Sequence, residues 1–64
     1  MQVFTLEELN NAHKALLSTL HKCEKIEGAK LGISQQTLLT RRIFALKVAL
    51  TLIEREATKL EEES

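Results

Sequence analysis

"KLGISQQTLLTRR", Lys30 to Arg42, lies between two long runs of helix-forming sequence, and its reading decides the fold. Gly32 suits the left-handed residue that ends a helix, because glycine has no Cβ to clash there. Ser34 suits an N-cap, whose hydroxyl accepts a hydrogen bond from the following turn. Ile33 and Leu38 have the spacing of a hydrophobic staple around that cap. The stretch reads as a tight bend at residues 32–33. Gly28 is then a tolerated glycine in the last turn of the first helix, at about 1 kcal/mol against alanine.

Working outward, the start of the first helix is marked by "TLEE". Thr5 can accept from the N–H of Glu8, and Glu8 can reach back to the N–H of Thr5, with Phe4 and Leu9 as a staple. Leu6, Leu9, His13, Leu16, Leu20, Cys23 and Leu31 fall on one face at 100° per residue. Beyond the bend, Leu39, Ile43, Leu46, Leu50, Ile53, Ala57 and Leu60 do the same. The expected elements are one helix over about 5–31 and a second over about 34–61, each roughly 40 Å long. Joined by two residues, they must fold back as an antiparallel hairpin, one all-α domain over 1–64.

Sixty-four residues bury little, and a chain of this size usually needs a staple or a partner. One cysteine excludes an internal disulfide, and no zinc-type spacing of Cys and His occurs. Oligomerisation is the support that remains. Lys and Arg total 9 and Asp and Glu total 9, whereas a nucleic-acid binder is more often basic. Met1 to Leu6 lacks the pattern of a secretory leader, and the apolar stretch Ile43 to Ile53 is too short to span a bilayer. The expectation is a cytoplasmic protein that does not enter a membrane.

The second helix carries an extra stripe. Phe44, Val48 and Leu52 follow i, i+4, i+8 and sit roughly 140–220° around the axis from Leu39. A two-helix hairpin has one internal seam, which uses one stripe per helix. The leftover stripe implies burial against something else. The expected partner is a second copy, giving a homodimeric four-helix bundle, or else another helical protein. Charge is also polarised. Lys22, Lys25, Lys30, Arg41, Arg42 and Lys47 against Glu24 and Glu27 leave the turn end at +4, and the remainder of the chain carries −4.

The segment from about Glu24 to Leu46 resembles the turn and second helix of helix-turn-helix DNA readers, through Gly32, Ile33, Ser34 and Leu38. That resemblance implies a small nucleic-acid-associated regulator, contacting phosphate through Lys30, Arg41 and Arg42. Three features depart from the pattern. Arg41 stands where the next apolar anchor belongs, the second helix is too long for a recognition helix, and no third helix is present to complete a trihelical core. A glycine stop followed by a serine cap also serves any tight αα turn, and the hairpin reading is preferred.

Chemistry is sparse. His13 and Cys23 share a face but stand roughly 15 Å apart along the axis, too far for a Cys–His pair. His21 and Glu24, at i and i+3, make at most a weak two-ligand site. There is no glycine-rich phosphate loop, no Ser/His/Asp set and no aromatic platform for bases. The sequence points to a helical interaction protein rather than an enzyme, with no catalytic residue, metal or cofactor expected.

Overall fold

Two helices, α1 (Leu6–Glu24) and α2 (Ile33–Glu63), pack antiparallel along one seam in the computed structural model, which describes residues 3–63. A single 3-10 turn, Gly28–Lys30, lies between them, and there is no strand among the described residues.

The start of α1 forms as the sequence dictates. Thr5 is extended, and its hydroxyl accepts from the Glu8 N–H at 3.1 Å. Its own N–H donates to the Glu8 carboxylate at 3.0 Å, which completes the capping box. Phe4 and Leu9 line one crevice with Ile53 of α2.

The end of α1 differs from the sequence reading. The helix stops at Glu24, not Leu31, with Lys25 as a C-cap in ordinary right-handed geometry. The physical reason lies in the seam itself. Continuing Leu20 and Cys23 by one turn lands on Glu27, and a carboxylate there would face the apolar contact. The chain leaves the helix instead. Glu27 turns extended, stays exposed and pairs with Lys30 at 3.1 Å. The connection therefore spans 25–32 rather than 32–33. Its Lys25, Ile26, Lys30 and Leu31 N–H groups find the carbonyls of His21, Cys23, Glu27 and Gly28 at 3.0–3.2 Å.

No glycine has positive φ, so Gly32 is not a left-handed cap. Its carbonyl accepts from the Gln36 N–H at 2.9 Å, placing it just ahead of the first turn of α2. Ser34 lies inside that turn and is not the N-cap. The Ile33–Leu38 staple does not form either, since both side chains are exposed, Ile33 to 85%. A polar link replaces it: Gln36 Nε2 donates to the Leu31 carbonyl at 2.9 Å. At the other end α2 continues past Glu61 to Glu63.

Apart from Leu31, which lies in the connection, the seam holds the apolar residues expected on it. Leu9, Leu20, Cys23 and Leu50 are buried, and the rest of the two stripes is half-buried. His13 sits at the same contact, its Nε2 3.7 Å from Glu54 Oε1. The result is a rod of 48 × 20 × 16 Å with a radius of gyration of 14.7 Å. A compact chain of this length would have about 11 Å. It exposes 5367 Å² at 7.3 kDa, where a compact monomer of that mass exposes about 4,200 Å². Among the described residues no helix is long and apolar enough to cross a membrane.

Candidate interaction surface

α2 packs on α1 through Ile43, Leu46, Leu50 and Ile53, and this fixes where its other faces point. Phe44, Val48 and Leu52 emerge on the opposite side, 68%, 41% and 56% exposed. The structure brings these three together. They line one open groove along α2 with Lys47, Thr51 and Arg55.

Thr51 belongs to this surface and was not singled out by apolar periodicity. Its hydroxyl donates to the Lys47 carbonyl at 2.9 Å. Thr37 and Thr40 do the same to Ile33 and Gln36, at 3.1 and 2.9 Å. A helical threonine bonded to the carbonyl four residues back has its donor satisfied and can be covered without orphaning it. The signal was present in the sequence as threonines beside the stripe, which read as polar by residue type. No carboxylate lines the groove, and Lys47 and Arg55 border it.

The basic residues of the turn end are arranged differently. Lys30 is engaged with Glu27. Arg41 and Arg42 are adjacent on a helix and point 100° apart. Arg41 borders a hollow with Ile33, Thr37 and Thr40, while Arg42 borders one with Ile26, Leu31 and Leu38. Arg41 and Arg42 thus border different hollows of the turn end. The hollow beside Arg42 is a consequence of the early end of α1, since the unwound connection lays Ile26 and Leu31 against the start of α2.

Cys23 is buried in the seam, and His13 points at Glu54. Among the described residues no three His, Cys, Asp or Glu side chains cluster closely enough to hold a metal ion. The chain matches no known protein family, no curated protein and no solved structure.

Proposed function

We propose that this chain is a small helical interaction protein that acts in the cytoplasm and self-associates through the back of α2, with Phe44, Val48 and Leu52 at the contact. The observation that carries the reading is the exposure of three large apolar side chains in line, directly opposite the seam. The surface area supports it. The rod exposes roughly 1,200 Å² more than a compact monomer of its mass, and a standard interface covers about 800 Å² on each partner. Because the stripe faces away from α1, the dimer is a four-helix bundle with the two α2 helices innermost and the two α1 helices outermost.

Sedimentation equilibrium of the parent and of Val48→Asp tests the proposal. The parent is expected to be a dimer. A carboxylate at the centre of an apolar contact must be desolvated or expelled, so the variant is expected to be a monomer. A parent that is monomeric at every concentration, or a variant that keeps the parent's mass, overturns the reading.

A further inference from the structure

The apolar stripe of α2 is bracketed by arginine. Arg41 and Arg55 fall within roughly 20° of Val48 around the helix axis, so one face reads Arg41, Phe44, Val48, Leu52, Arg55. All five are exposed. Arg55 and Lys47 border the groove itself. None of Arg41, Lys47 and Arg55 has an acid three or four residues away on α2, and no Asp or Glu occurs between Glu27 and Glu54. The apolar part is roughly 12 Å long, and the two arginines stand roughly 21 Å apart along the axis.

A second copy covers the apolar part of this face but does not match its ends. Laid antiparallel and centred on Val48, it sets Arg41 of each copy level with Arg55 of the other. Laid parallel in register, it sets each arginine level with itself. Sliding an antiparallel pair until Arg41 meets Glu62 puts Arg55 on Val48 and Lys59 on Phe44, which spoils the apolar contact. Self-association therefore draws on the stripe and meets like charge at both of its ends, a juxtaposition that works against a partner.

Resting on the back of α2 as a contact surface, we infer that its matching occupant is an acidic amphipathic helix of another protein, which displaces the second copy. Such a helix carries apolar residues at i, i+4 and i+8 and a carboxylate about one turn beyond each end of them. The apolar anchors supply the affinity of a helix laid in a groove, and the carboxylates on Arg41 and Arg55 select the partner. The bracket has the same sign at both ends, so a partner running in either direction satisfies it. About four turns of helix reach from Arg41 to Arg55. A lipid surface matches less well. Helices that lie in a membrane interface are rich in Lys and Arg along a long apolar face, whereas this stripe is short and the chain has no net charge.

The test uses two labelled synthetic peptides. Each has leucines at i, i+4 and i+8, with either a glutamate or a lysine three residues outside each end leucine, and alanine and glutamine elsewhere. The glutamate peptide is expected to bind the parent about tenfold tighter than the lysine peptide at low salt, a gap that narrows as salt is added. In sedimentation it should convert the dimer into a one-to-one complex. Arg41→Glu with Arg55→Glu, both at exposed positions, should reverse the preference. Equal binding of the two peptides, or binding of the glutamate peptide that survives Val48→Asp, overturns the inference. So does release of the bound peptide by phosphatidylserine vesicles that take up the protein. A dimer indifferent to the peptides' charge overturns the acidic partner and leaves the self-association standing. A monomeric parent that still selects the glutamate peptide does the reverse.

Discussion

α1 and α2 are both long amphipathic helices, yet only α1 is complete in itself. It has a closed capping box, Glu7 and Glu8 in its first turn, His21 and Lys22 in its last, and three of the buried seam residues. Its charges follow its dipole, and its apolar residues point one way. α2 is longer, has one buried residue, reverses the charge order and carries apolar side chains on two opposite sides. A helix whose local rules all agree needs one neighbour. A helix that breaks them in two independent ways, by an uncovered stripe and by reversed charge, fits a place between two neighbours.

That contrast can be broken most severely at the seam. Leu50 is the buried residue that α2 contributes, and Leu50→Asp places a carboxylate where no partner reaches it. Loss of helical circular dichroism at all concentrations is the expected outcome. Retention of the parent's helix content would show that the seam does not hold the fold.

Val48→Asp comes next. Thermal melts at two protein concentrations should show the parent's melting temperature rising with concentration and the variant's lower and independent of it. Ser18→Asp, on the exposed back of α1, is the control and should stay within about 0.5 kcal/mol of the parent. If both aspartates behave alike, the difference between the back faces of α1 and α2 disappears.

The caps sharpen the comparison at smaller scale. Thr5→Ala removes the α1 cap and should destabilise by about 1 kcal/mol at fixed concentration. Gly32→Ala, at the start of α2, should be nearly silent. The φ of Gly32 is not positive, and an added Cβ meets nothing within 4 Å. A left-handed glycine would instead lose roughly 1–2 kcal/mol on the same change, so a loss of that size in chemical denaturation would restore the tight-bend geometry.

The smallest effect is in pH. The Thr5 backbone N–H, and secondarily the Thr5 side chain, hold the Glu8 carboxyl below its ordinary value of 4.5. A group whose folded pKa is depressed stabilises above its unfolded pKa, and that contribution is lost as pH falls through the folded value. Protection of the first-turn amides of α1, measured against their intrinsic exchange rates, should therefore fall as the pH drops below about 4.5. Thr5→Ala should abolish this dependence. An unchanged dependence would place its origin elsewhere.

Much of the fold was legible in the sequence because periodicity is a property of many residues at once. The two apolar stripes, the seam and the back stripe of α2 all appear where spacing puts them. The bend was less legible because it turns on single residues. Gly32, Ile33 and Ser34 fit a tight turn locally, but the position of Glu27 on the seam face decides that α1 ends about two turns earlier. That effect is visible only when the facing helix is considered. Thr51 was missed for a related reason. Its polarity as a residue type hides a hydroxyl already bonded within its own helix.

The antiparallel packing of α1 on α2 also orders the folding of the hairpin in time. In an antiparallel pair, contacts near the connection join residues close in sequence, and those at the open end join distant ones. Each doubling of the closed loop adds about 0.6 kcal/mol of entropy to be overcome. Closure therefore starts beside Cys23 and Ile43 and runs like a zip toward Leu9, with the capping box at Thr5 the last feature to be locked. Leu20→Ala should then slow folding, while Leu9→Ala should mainly speed unfolding, a difference that stopped-flow kinetics on the two variants would show.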